Sequence, residues 1–206
     1  MDDKEIIDEL RDLTRDKESW KANIDDVAAK LDDDYSDAVK AKAMWLLGEM
    51  GLKHPNEVED YVEDIARHME DENPKLRERS ANALGRIGRA DSNLIIPYMD
   101  GLMKMRDDES GNVRHAFVWA CENMATATPE LFCDRLEIFY EMISDSAEKV
   151  RIEAPEMFRV VGKRKPDCVK PFLSELEWIA ENDEHPAVRV HSAGAVRVTN
   201  NALNEK

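Results

Sequence analysis

The stretch Asp71-Glu-Asn-Pro-Lys-Leu-Arg-Glu-Arg-Ser-Ala-Asn-Ala-Leu-Gly85 decides how this chain is read. It opens with an Asp five residues ahead of an aliphatic residue that is followed at once by a cation. The same phrase returns as Asp34…Val39-Lys40, Asp108…Val113-Arg114, Asp145…Val150-Arg151 and Asp183…Val188-Arg189. Successive aliphatic positions stand 37, 37, 37 and 38 residues apart. A fixed period of that size means stacked supersecondary units, each unable to bury its apolar face alone.

Counting from each aliphatic position as 0, apolar or small residues recur at +4, +7, +8 and +11. They are Ala43, Leu46, Leu47 and Met50 in the first unit, and Ser80, Ala83, Leu84 and Ile87 in the second. That spacing is one face of a 3.6-period helix, here named helix B. Ser36, Asn73 before Pro74, Ser110 and Ser146 suit its N-caps, and Pro186 suits the first turn of the last copy. Gly51, Gly88 and Gly162 stand where a left-handed residue would stop it. A second amphipathic segment, helix A, follows each turn. Its stripes are Val58, Val62, Ile65 and Met69; then Ile95, Met99 and Leu102; then Phe132, Leu136, Phe139 and Ile143; then Val169, Leu173 and Leu176. Trp20, Ile24, Val27 and Leu31 supply the equivalent helix before the first phrase, and Asp3 to Asp16 reads as one further helix over the open end.

The phrase Asp-x4-aliphatic-Arg-x2-small-x2-Ala-Leu-Gly resembles a HEAT repeat, most fully over Asp71–Gly85. That resemblance implies an all-α fold, an armadillo-like α-solenoid wound as a right-handed superhelix of about five helix pairs. One domain over 1–206 is expected, with a capping helix at 1–17 and repeats near 18–51, 55–88, 92–126, 129–163 and 166–203. The period is shorter than the roughly 40–47 residues usual for such units. The fourth repeat departs most, because Pro155 falls inside helix B and should kink it.

The resemblance also implies that the recurring Asp and Arg form a ladder between repeats, a scaffold role rather than a catalytic one. In such superhelices the B helices line the concave side, so positions +2, +6 and +10 should face a groove. Two tryptophans in the +6 column, Trp45 and Trp119, are unexpected there, since exposed aromatics serve as binding anchors. Trp45, Arg79, Asn82, Arg86, His115, Trp119 and Asn123 are the candidate binding residues. The B segments carry most of the basic charge, densest at Arg79, Arg86 and Arg89, then at Arg159, Lys163, Arg164 and Lys165.

With 45 Asp and Glu against 29 Lys and Arg, the chain has a net charge of −16, which opposes non-specific binding to nucleic acid or an anionic membrane. The A segments hold most of that acidity. No P-loop, G-x-S-x-G or metal-ligand spacing occurs, so no catalytic residue, cofactor or metal is expected and the chain reads as non-enzymatic. The carboxylate pair Glu153 and Glu156 reads as solvated on a helix surface. Cys121, Cys133 and Cys168 lack C-x-x-C spacing and read as reduced, partly buried thiols in a cytoplasmic chain. No signal peptide or membrane-spanning run is visible.

The resulting expectation is a protein–protein interaction scaffold that takes an acidic or amphipathic partner segment on the B face. Two alternatives share the resemblance. One is nucleic-acid binding or base repair, opposed by the small groove charge and by the lack of a matching Trp-Asp-Arg constellation. The other is a phycobilin-lyase-like protein, although nothing marks a tetrapyrrole site. Partner identity and oligomeric state stay open.

Overall fold

The repeating phrase is realised as helices throughout. A computed structural model describes residues 2–205, and among them there is no strand. The helix nearest the N-terminus, Asp3–Leu13, is closed by a capping box in which Asp2 accepts from Glu5 N–H and Glu5 reaches back to Asp2 N–H. The five B helices are Asp37–Lys53, Pro74–Ala90, Gly111–Ala127, Glu148–Gly162 and Pro186–Asn204. The chain divides into two compact units, one ending at Ala120 and one starting at Cys121.

The apolar stripe behaves as its spacing demands. Val39, Ala43, Leu46, Leu47 and Met50 are fully buried, as are Ala83, Leu84 and Ile87, with Leu76 and Ser80 beside them. Ser80 shows how a polar residue occupies a core position: its hydroxyl donates to the Ile65 carbonyl at 2.7 Å. The A stripes also turn inward, yet the A segments are not single helices. The one after the first B helix breaks into Pro55–Val58, Glu59–Tyr61, Val62–Ala66 and Arg67–Glu70, alternating α and 3-10 turns. Short segments alternating in this way keep one face inward while the backbone tightens locally. Pro97 and Pro171 lie within comparable 3-10 turns in later repeats.

The ladder between repeats is present and geometrically specific. Four of the recurring aspartates fold their own turn: Asp71, Asp108, Asp145 and Asp183 accept from the backbone N–H two residues on, at 2.6 to 2.8 Å. The recurring arginines bind the same turns from the other side. Arg77 donates to the Asp71 and Glu72 carbonyls, and Arg189 does the same to Asp183 and Glu184. Arg77 then reaches the next repeat, where its Nε and Nη2 hold both oxygens of Asp108 at 2.7 and 2.9 Å. Arg151 makes the corresponding contact to Asp183 at 3.3 Å.

Several sequence expectations need correction. No glycine among the described residues has positive φ, so Gly51 and Gly88 do not end their helices, which run on to Lys53 and Ala90. Gly51 serves close packing instead: a Cβ there would lie 2.5 Å from Ile87 Cγ1. In the fourth B helix the N-cap is Ala147, one residue past Ser146, because the Asp145 turn sets the helix start. Helix Glu148–Gly162 continues through Pro155, which is buried within it. Finally, Cys133 and Cys168 form a disulfide, with Cα atoms 5.2 Å apart. They are 35 residues apart, close to one period, so the stacking sets them side by side in successive A segments. Cys121 alone is a free thiol, buried, its pKa pushed up by that burial.

Candidate functional site

Six of the seven candidate residues lie in the first unit, carried by the first three B helices. Trp45 and Trp119 are both half-buried rather than fully displayed. Each is matched with a cation. Lys42 Nζ lies 4.2 Å from the centre of the Trp45 ring, and the Arg86 guanidinium lies 4.4 Å from that of Trp119. One turn separates Lys42 from Trp45 on the same helix, so that pair follows from helical geometry alone. The Arg86–Trp119 pair spans two repeats and depends on their stacking.

Arg86 is further held by Glu49 of the first B helix, whose Oε1 lies 2.5 Å from its Nε, and it donates weakly to the Asn82 carbonyl at 3.5 Å. Burial lowers the Arg86 pKa and Glu49 opposes that shift. The run Glu49–Arg86–Trp119 thus crosses three successive B helices. Read from the sequence, Arg86 looks available to a partner; in the structure its charge is already matched. Arg79 is half-buried, its Nη1 3.9 Å from Glu78. His115 is half-buried too. Asn123 is only 8% exposed and lies in the second unit.

A concavity of about 560 Å³ opens beside Trp45. Ile7 and Arg11 come to it from the N-terminal helix, Lys42 and Trp45 from the first B helix, and Lys75 and Arg79 from the second. Sequence reading missed Lys42 and Arg11. Lys42 and Arg79 share the +3 column, so setting that column in register would have found the first. Arg11 stands outside the repeat and carries no such signal.

The second unit presents a different surface on its B helices. Glu122 hydrogen-bonds to Glu153, and Glu156 holds Arg159 through both Nε and Nη2. His191 Nδ1 lies 2.8 Å from the other Glu156 oxygen, at ion-pair distance but out of hydrogen-bond alignment. Glu156 is only 9% exposed, which overturns the reading of Glu153 and Glu156 as a solvated surface pair. Arg159, expected as part of a basic patch, is thereby neutralised. Burial and the adjoining Glu153 push the Glu122 carboxyl up to about 7.

That shift has a definite consequence for stability. The folded chain keeps a proton on Glu122 that the unfolded chain releases near 4.5, so stability falls as pH rises from about 4.5 to 7. Glu122→Gln, which cannot ionise, should be neutral at pH 5 and stabilising at pH 8. Because the group is partly solvated, the gain is about 1 kcal/mol. Thermal melts of both proteins across this range measure it.

Residues 24–94 match the family model for HEAT repeats. Over nearly the whole chain, the structure superposes on solved repeat proteins. A designed armadillo repeat protein in complex with the peptide (KR)4 gives a TM-score of 0.67 at 18% identity, covering 92% of this chain and 91% of that one. The fold is an α-solenoid of repeated helix pairs, similar to these armadillo repeat proteins. Computationally designed armadillo repeat proteins for modular peptide recognition give a TM-score of 0.64 at 16% identity, covering 96% of this solenoid and 94% of that chain. An engineered protein solved by a structural genomics consortium gives 0.67 at 14% identity, with 88% and 81% covered. No curated protein matches the sequence. Among the described residues, no helix is long and apolar enough to cross a membrane.

Proposed function

We propose that this solenoid is a protein–protein interaction scaffold whose first unit holds an acidic or acidic-amphipathic partner segment along its B helices. The observation that carries this reading is the pair of tryptophans two repeats apart in the same column of the repeat register, each held by a cation. A half-buried aromatic with a fixed orientation loses little side-chain entropy when a partner covers it, which is what a binding anchor needs. Arg79 and Asn82 lie between the two anchors in sequence register and supply polar contacts.

Two designed armadillo relatives are described as a peptide complex and as modules for peptide recognition, which supports a peptide or protein as the class of partner. The peptide in the first is basic, (KR)4. Here the first-unit B helices carry Lys42, Lys75 and Arg79 beside Trp45, so charge complementarity favours an acidic segment. Catalysis has no support from this surface, and we read the chain as a binder rather than an enzyme.

The test is the pair of substitutions Trp45→Ala and Trp119→Ala. Each should weaken binding of an acidic peptide about tenfold or more, and together they should abolish capture of partners, with circular dichroism unchanged. Retention of the same partners at the same affinity by the double variant would remove the anchors and this reading with them.

A further inference from the structure

The concavity beside Trp45 gathers cations from three helices, Arg11, Lys42 and Arg79. Several other cations of the B helices are matched by a carboxylate: Arg77 by Asp108, Arg86 by Glu49, Arg151 by Asp183 and Arg159 by Glu156. Within the concavity, Arg11 pairs with Asp8 at 2.7 Å. Lys75 pairs with Glu78 at 2.9 Å, and Arg79 lies 3.9 Å from that same carboxylate. Asp37, also on the wall, accepts from Asn73 Nδ2 at 2.7 Å.

Lys42 has no such carboxylate. Among the described residues no carboxylate lies within ion-pairing distance of its ammonium, which rests on the Trp45 face instead. It is half-buried, and its pKa is lowered by that burial and by the charges of Arg11 and Arg79. Three cations from three helices therefore converge without a full complement of anions. Counting the carboxylates that already pair with these walls, one positive charge is left over. Apolar surface adjoins it on Trp45, Ile7 and Ala41.

We propose that this concavity receives one carboxylate side chain of an acidic partner peptide between Lys42, Arg11 and Arg79, with the peptide's neighbouring apolar residue laid on Trp45. The proposal rests on the scaffold reading above and adds the occupant of one pocket to it. A single excess charge suits a monoanion such as Asp or Glu better than a dianionic phosphate, whose second charge would find no partner here. Entry of the carboxylate relieves the repulsion among the three cations, so the free energy of that repulsion contributes to binding.

The experiment uses the full chain and three blocked nine-residue peptides followed by fluorescence anisotropy. The first alternates Asp and Leu, the second replaces Asp with Asn, and the third carries phosphoserine in place of the central Asp. Lys42→Met keeps the aliphatic stem over Trp45 and removes the charge, while Lys42→Arg restores it. The expected result is about a tenfold loss of affinity for the Asp peptide in Lys42→Met, recovery in Lys42→Arg, and no change for the Asn peptide. Equal affinity of wild type and Lys42→Met for the Asp peptide would overturn the pocket while leaving the scaffold reading intact. No binding of the Asp peptide by wild type would overturn both. Tighter binding of the phosphoserine peptide than of the Asp peptide would overturn the monoanion assignment.

Discussion

Asp108→Ala should cost the protein about 3–5 kcal/mol, the range for removing one partner of a buried ion pair. Arg77 and Asp108 have side chains 11% exposed each and share two parallel hydrogen bonds, so neither is screened by water. Their titration reflects this. Burial alone would raise the Asp108 carboxyl, but Arg77 and the Ser110 N–H outweigh it and hold the group below its ordinary 3.8. A depressed carboxylate contributes fully above its unfolded value and loses that contribution as pH falls through the folded one. The ladder is therefore complete above about pH 4 and is lost in stronger acid. Truncation to Ala also removes the acceptor for Ser110 N–H. Asp108→Asn separates the two effects, since its amide oxygen can still serve that turn while the charge is gone. Urea denaturation of Asp108→Ala, Asp108→Asn and the paired replacement Arg77→Met with Asp108→Leu completes the test. The paired variant should recover only part of the loss: it strands no charge, but it leaves the Asp71 and Glu72 carbonyls and the Ser110 N–H without these partners. A loss below 1 kcal/mol for Asp108→Ala would mean that the pair is solvated and that the repeats stand without it.

The position of this pair was legible in the sequence through its recurrence, and its ladder role is what the HEAT-repeat resemblance implied. A residue that returns at every period is answering to the stacking that every period shares. Val39, Leu76, Val113, Val150 and Val188 fill the core, and the Asp and Arg columns bind one repeat to the next. What recurrence hides is whatever depends on a contact made once. Arg86 carries the same charge as Arg79, and nothing local tells them apart. One is matched by Glu49 and Trp119, the other borders an open concavity, and only the stacking of three helices decides which is which. Glu156 was misjudged for a related reason. Its helical position is peripheral, but Arg159 and His191 fold over it, so it is buried by side chains rather than by the core. Arg11 belongs to no repeat, and a register argument has no place for it. The disulfide sat in plain view one period apart, and the spacing rules for metal sites and secreted frameworks directed attention away from it.

The glycines supply the other large effect, and here the expected sign reverses the usual rule. A helical glycine replaced by alanine ordinarily gains up to about 1 kcal/mol through backbone entropy. Gly85 should not. A Cβ placed there would meet Ala120 Cα at 2.5 Å and Ala120 Cβ at 2.8 Å, and the first of these is backbone that no rotamer change can move. Gly48 stands in the same relation to Ala83, with its Cβ 2.8 Å from the Ala83 Cα. In both cases the residue at +9 of one B helix lies against the residue at +7 of the next, so glycine and alanine together set how closely consecutive B helices approach. Gly85→Ala must push the second and third B helices apart, which costs about 1–3 kcal/mol and outweighs the entropic gain. Gly85→Leu adds three more carbons at the same contact and should exceed about 3 kcal/mol. It should also disturb the Arg86–Trp119 contact carried by the same two helices, so a change in tryptophan fluorescence would accompany the loss of stability. Gly194 is the internal control. Its Cβ would meet nothing nearer than Arg159 Cδ at 3.8 Å, so Gly194→Ala should stabilise by about 0.5–1 kcal/mol. Opposite signs for the two alanine substitutions in urea denaturation would establish that Gly85 is kept for helix spacing. A stabilised Gly85→Ala would show that these helices can separate at no cost.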